Sequence, residues 1–285
     1  MAFDNIGALT QEQKTLLANL KSALTDASFE GGVTIAYSGG LDSRFLSFCA
    51  KAFGFNVRLL HVAGNHIAVQ ESQEAIDFAK DMGLTCEVVR LKLPTPQALA
   101  AAQKRRCYVC KSAIFSQLKA LAAGGKLCDG TNASDTLVFR PGAQALKELG
   151  IYSPLQQAGF TKPDIRAVGK ILGFANPTQA ARPCLLTRFP YGVEPTADKL
   201  AVIAKAEEWI DNAPDTKGLR VRLRYPQGLP ELHIEKESLT GKDETFIKDL
   251  KARLQAAFAS DLSGLSIRVL DKLSGFYDQT NDAAK

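Results

Sequence analysis

The chain has 285 residues, 46% of them hydrophobic, which is enough for one large core or two modest ones. Its 35 basic and 30 acidic residues leave a net charge of +5, a mild excess that carries no nucleic-acid signature. No apolar run approaches the roughly 18 residues of a membrane-spanning helix, and the opening Met1-Ala2-Phe3-Asp4-Asn5 has neither a basic nor an apolar leader region, so a cytoplasmic protein without membrane contact is expected.

Residues 11–27 predict an amphipathic helix with Leu16, Leu17, Leu20 and Leu24 on one side. Strand-like runs at 33–37, 57–62, 85–91 and 126–128 then alternate with helical runs at 41–53, 68–82 and 110–123. That alternation predicts an α/β fold with a doubly wound parallel sheet, whose ligands bind at the carboxyl ends of the strands. Thr161 reads as the N-cap of a helix over 162–172, with Pro163 in its first turn and Gly173 near its stop. After Pro190-Tyr191-Gly192 the pattern changes to helix (196–210), strand (219–225), strand (231–235), helix (244–258) and strand (265–270). The expected organisation is a first domain over 1–190 and a smaller α+β C-terminal domain over 191–285.

Between the first predicted strand and the helix after it lies Ser38-Gly39-Gly40-Leu41-Asp42-Ser43. A strand, a glycine turn and a helix start bring unpaired N–H groups and the positive end of a helix dipole to one point, an anion pocket. Gly39 and Gly40 permit close backbone approach, and Ser38 and Ser43 add hydroxyl donors. Asp42 cannot bind phosphate itself, so a Mg²⁺ ion bridging it to phosphates is its expected role. The string resembles the PP-loop of ATP pyrophosphatases, which cleave ATP to AMP and pyrophosphate and have the adenine nucleotide alpha-hydrolase-like fold. Asp129-Gly130-Thr131-Asn132, just past another strand end, is expected to face the same crevice.

Six cysteines in a reducing compartment do not argue for a disulfide framework. Cys49, Cys86 and Cys128 sit in apolar runs and read as small buried hydrophobes. Cys107 and Cys110 form a C-x-x-C beside Arg105, Arg106 and Lys111, and Cys184 lies between Arg182 and Arg188. A structural zinc site would need two more ligands. A thioredoxin-like pair would leave Cys184 unexplained. A 4Fe–4S cluster needs only Cys107, Cys110 and Cys184, and leaves one iron open for an extra sulfide. The flanking arginines would favour thiolates and attract an anionic substrate.

An ATP-activating loop and a sulfur-bearing centre combine into one chemistry, in which a carboxylate is adenylated and a sulfur nucleophile then displaces AMP. Ser38–Ser43, Arg106–Lys111, Asp129–Asp135, Arg140-Pro141-Gly142, Ser153-Pro154-Leu155, Pro183-Cys184 and Arg188–Gly192 resemble, in that order, the LarE family. These are homo-oligomeric, ATP-dependent sulfur transferases of nickel-pincer nucleotide cofactor synthesis. The resemblance implies a small anionic nucleotide substrate, pyridinium-3,5-biscarboxylic acid mononucleotide. It also implies ATP, Mg²⁺ and, with three cysteines, a 4Fe–4S cluster on Cys107, Cys110 and Cys184. Asp42 and Cys184 would be catalytic, Ser38, Gly39, Gly40, Asp42, Ser43, Gly130, Thr131 and Asn132 would bind ATP, and Arg188, Glu207, Arg220 and Arg222 would contact substrate. The alternatives are a PP-loop enzyme that thiolates transfer RNA, an amide-forming synthetase, and a non-catalytic iron–sulfur or nucleotide-binding protein.

Overall fold

A computed structural model describes residues 3–122, 124–137 and 141–280. The chain divides into two compact units: Met1–Gly64 with Gln70–Pro94 and Lys104–Arg182, and Asn65–Val69 with Thr95–Gln103 and Pro183–Lys285.

The first unit opens on α1 (Gln11–Ala27), started by a capping box in which Thr10 and Gln13 satisfy each other's backbone N–H. Then come β1 (Gly32–Ala36), α2 (Leu41–Ala52), β2 (Asn56–Ala63), α3 (Val69–Asp81) and β3 (Cys86–Arg90). A short α4 (Pro96–Ala101) belongs to the second unit. The first unit continues with α5 (Arg106–Leu121), β4 (Leu127–Cys128), α6 (Pro141–Glu148), α7 (Pro154–Gln157) and α8 (Lys162–Ile171). The four strands are parallel, in the order β3-β2-β1-β4.

Both faces of this sheet are buried, because neighbouring residues on a strand point to opposite sides. Val33, Ile35 and Leu59 join Leu20 and Leu24 of α1 and Phe45 of α2 in one cluster, while Leu60 and Val62 join Ile114 and Leu118 of α5 and Leu146 of α6 in another. Phe45 packs edge-on against Phe160 and Phe174, at 5.4 and 5.7 Å between ring centroids, which ties α2 to the chain around α8. The chain runs outward from β1 to β2 and β3, then returns to β4 on the other side of β1. The order therefore reverses between β1 and β4, and in such sheets that is where a ligand crevice opens.

One predicted boundary moves. The helix expected from Cys110 begins at Arg106, so the whole C-x-x-C lies inside α5. Tyr108 donates to Glu148 of α6 (2.5 Å), and Gly142 of α6 sits where an added Cβ would lie 2.9 Å from Cδ of Lys111. These contacts, with residues 40 and 31 positions away, accompany the extension of α5 toward its N-terminus. Arg140 of the 140–142 motif lies outside the described residues.

The second unit holds α9 (Ala197–Asn212), β5 (Val221–Arg224), β6 (Glu231–Glu235), α10 (Glu244–Phe258), β7 (Ser266–Leu270) and α11 (Phe276–Thr280). Its sheet is mixed, in the order β5-β6-β7, antiparallel at the first pair and parallel at the second. Leu223, Leu232 and Ile234 are buried, as are Leu200 and Ile203 of α9 and Leu250 and Leu254 of α10. Among the described residues no helix is long and apolar enough to cross a membrane.

The strands of this sheet also carry a buried polar group. Arg224 donates to Nδ1 of His233 (2.5 Å), and Nε2 of His233 lies 3.2 Å from Oε2 of Glu231, whose other oxygen meets Arg268 at 2.6 Å. Burial, with the charges of Arg224 and Arg268, holds the His233 pKa well below the ordinary 6.5 despite the pull of Glu231. The folded chain therefore keeps His233 neutral, while the unfolded chain binds a proton below about pH 6.5. Stability is expected to be intact above that pH and to fall as pH drops below it. Thermal unfolding from pH 7.5 to 5 checks this, and His233→Gln should flatten the slope. An unchanged slope would refute the assignment.

Candidate functional site

β1 ends at Ala36, and Tyr37 to Gly40 carry the chain across the carboxyl edge of the sheet into α2. Gly39 has φ +73°, and a Cβ there would sit 2.3 Å from Cβ of Ala75, so both its conformation and its packing demand glycine. Gly40 is the N-cap of α2 and has no side chain with which to cap the helix, which leaves the first-turn N–H groups to another acceptor. The Ser38 and Ser43 hydroxyls lie 3.1 Å apart, and Ser43 also donates to the Gly40 carbonyl at 3.2 Å.

The loop after β4 meets this turn. A Cβ on Gly130 would lie 2.8 Å from the Ser43 nitrogen, so only glycine lets the two backbones approach. The loop is held internally. Asp129 accepts from the Thr131 hydroxyl (2.5 Å) and from Ser153 (2.6 Å), which accounts for the 153–155 motif beside it. Asn132 is buried, accepts from the Ser134 N–H (2.9 Å) and donates to Asp135 (3.0 Å). Ser38, Gly39, Gly40, Asp42, Ser43, Gly130, Thr131 and Asn132 thus occupy the carboxyl ends of β1 and β4.

Sequence reasoning missed two members of this site. Lys162, the first residue of α8, places Nζ 2.5 Å from Oδ2 of Asp42. The other carboxylate oxygen, Oδ1, is buried and has no hydrogen-bond partner among the described residues. Burial raises the Asp42 pKa, the hydrogen bond and charge of Lys162 oppose that shift, and the negative charge of Asp135 adds to it. Arg44 is the second. It is buried beneath the turn, with its guanidinium 3.6 Å from the Phe78 ring centroid and bonded to Gln179 and to the Ala175 carbonyl, each at 2.7 Å. Gln179 in turn donates to the Gly39 carbonyl at 3.3 Å. The only sequence signal for Lys162 was its place behind a helix cap, and Arg44 had none.

Cys107 is exposed and Cys110 half-buried, one helical turn apart on α5, which puts both thiols on one face. All six cysteines are described, and none forms a disulfide. Cys49 and Cys128 are buried as expected, and burial raises both thiol pKa values, Cys128 to about 12. Arg106 is buried, Arg105 stacks 4.5 Å over Tyr108, and Arg182 is paired with Glu74.

In the second unit Cys184 is half-buried and precedes a single 3-10 turn, Leu185–Arg188. The Thr187 hydroxyl donates to its carbonyl at 2.8 Å. Arg188 is 2% exposed and grips Glu207 bidentately (2.9 and 2.6 Å), while its third nitrogen donates to the Pro183 carbonyl (2.9 Å) and Thr187 (2.9 Å). Glu207 also accepts from the Leu223 N–H at 2.8 Å, which couples α9 and β5 to the Cys184 turn. Arg220 is half-exposed and paired with Glu235 and Glu237, and Arg222 donates to the Val221 carbonyl at 2.6 Å. Among the described residues no three His, Cys, Asp or Glu side chains are grouped as a metal site.

No family model matches the chain. A protein of Lactiplantibacillus plantarum named pyridinium-3,5-bisthiocarboxylic acid mononucleotide synthase is 29% identical over 210 residues, 72% of this chain and 74% of its own. An uncharacterized protein of Synechocystis is 32% identical over 220 residues, 76% of this chain and 80% of its own. An uncharacterized protein of Methanocaldococcus jannaschii is 30% identical over 240 residues, 82% of this chain and 91% of its own. At this identity and coverage, the chain belongs to one family with the Synechocystis and Methanocaldococcus proteins.

Proposed function

We propose that this chain is a LarE-type sulfur transferase of the PP-loop ATP pyrophosphatase superfamily, acting on pyridinium-3,5-biscarboxylic acid mononucleotide. The observation that carries the reading is the pairing of the uncapped start of α2 with the Gly130 loop where the strand order reverses, beside a buried carboxylate oxygen that has no hydrogen-bond partner among the described residues. The name of the Lactiplantibacillus relative supports it.

In this reading the first-turn N–H groups of α2, with Ser38 and Ser43, hold the phosphates of ATP. Asp42 would hold Mg²⁺ through Oδ1, and the ion, when bound, neutralises phosphate charge. A substrate carboxylate oxygen attacks the α-phosphorus, the bond to the bridging oxygen breaks, and pyrophosphate leaves. The acyl adenylate is then open to a sulfur nucleophile, which expels AMP and leaves a thiocarboxylate. Backbone donors already aimed at the phosphates stabilise the charge that develops there.

Two accessible thiols on one helix face are suitable iron ligands. Cys107, Cys110 and Cys184 would hold a 4Fe–4S cluster, which when bound supplies iron-held sulfide. Cys184 would be presented by the Arg188–Glu207 pair, and Arg220 and Arg222 would meet the anionic substrate. The proposal includes a homo-oligomeric, cytoplasmic protein that does not act on nucleic acid.

Anaerobically prepared protein supplied with ATP, Mg²⁺, sulfide and the biscarboxylated mononucleotide tests it. Expected are pyrophosphate, AMP and a product with one oxygen replaced by sulfur. Cys→Ala changes at 107, 110 and 184, but not at 49, 86 and 128, should remove the iron–sulfur absorbance. Thiolated bases in transfer RNA, with no mass shift in the mononucleotide, would reject the reading.

A further inference from the structure

The Asp42–Lys162 pair spans 120 residues of sequence and sits at the mouth of the phosphate loop, yet adenylation as described assigns no task to the lysine. Its side chain is 33% exposed and that of Asp42 22%, so an incoming ion or nucleotide can reach both. The backbone at Lys162 is anchored without the ion pair. Its N–H donates to Ser134 (3.0 Å), Thr161 and Asp164 form a capping box, and Pro163 presets the first turn of α8. Releasing Asp42 would thus leave the helix start in place, and only the flexible four-carbon stem need move.

An ammonium 2.5 Å from Oδ2 and a divalent cation on Oδ1 of the same carboxylate repel across a few ångströms, so the lysine weakens cation binding until further negative charge arrives. We propose that Lys162 is the exchangeable counter-ion of the loop. It holds Asp42 while nucleotide is absent and passes to the phosphates of an entering nucleoside triphosphate. Asp42, including its buried and unbonded Oδ1, is thereby released to the divalent cation. Cation and nucleotide then enter together, since the triphosphate supplies the negative charge that both cations require. A static surface ion pair would have no such dependence. The inference rests on the ATP reading above.

Mn²⁺ serves as the probe, its unbound form counted by electron paramagnetic resonance, with α,β-methylene-ATP as a nucleotide that cannot be cleaved between those phosphates. Wild-type protein should leave Mn²⁺ unbound until the analogue is added. Lys162→Met should bind Mn²⁺ without nucleotide about tenfold tighter than wild type, and Asp42→Asn in that background should abolish the gain. Equal nucleotide-free affinity in wild type and Lys162→Met would overturn the exchange. As a check independent of any variant, acylation of the Lys162 amine in wild-type protein should be slowed by Mn²⁺ and analogue together and unaffected by Mn²⁺ alone. An unchanged rate with both bound would also overturn it. Failure of wild-type protein to bind the analogue at all would instead remove the ATP reading on which the exchange depends.

Discussion

Asp42→Asn is expected to lower pyrophosphate release from ATP by at least about 10²–10³-fold, the usual cost of losing one preorganised electrostatic contact in an active site, while the protein stays folded. The folded-state pKa of Asp42 lies above its ordinary value, chiefly through burial. At neutral pH the ionised carboxylate therefore costs the fold stability, and that cost disappears as pH falls through the folded pKa. Asparagine removes the charge and can still accept from Lys162. The variant should unfold at the wild-type temperature or slightly above it, with its activity lowered to that extent. Such a residue is retained for function at the expense of stability. Wild-type rates of ATP cleavage to AMP in Asp42→Asn would end the reading of residues 38–43 as a nucleotide loop.

The second large effect concerns Arg188, whose removal strands a carboxylate. The Glu207 side chain is largely buried, 13% exposed against 2% for Arg188, and the pair is bidentate. Arg188→Met is expected to destabilise the second unit by about 3–5 kcal/mol, the range for removing one member of a buried ion pair. It should also loosen the Cys184 turn, because Arg188 bonds the carbonyls of Pro183 and Cys184. Adding Glu207→Gln should restore much of the loss, since glutamine is neutral and can still accept from the Leu223 N–H. Denaturant unfolding of wild type, both single variants and the double variant measures the coupling. Additive losses would show that the pair is not a unit. Arg188 would then be left with the substrate-contact role that the sequence suggested.

Wherever the deciding interactions were local, the sequence alone determined the outcome. The Thr10 and Thr161 caps set the starts of α1 and α8, because a hydroxyl three residues from its N–H partner needs nothing from the rest of the chain. Short apolar runs placed the strands of both sheets, since the apolar residues that bury a strand are written in the strand itself. The glycines of Ser38–Ser43 were legible as a tight turn between a strand and a helix for the same reason. Tertiary structure decided what depended on distant partners. The start of α5 moved to Arg106, so Cys107 became helical, under the influence of Glu148 and Gly142. Arg188 reads in sequence as a basic residue beside a cysteine, and becomes a buried clamp only when α9 brings Glu207 to it. Lys162 looked like one more exposed lysine until the sheet order returned the chain to the far side of β1 and set its ammonium against Asp42. Short-range hydrogen bonding and hydrophobic period are properties of a segment. The charge environment of a side chain is a property of which segments the core packs together.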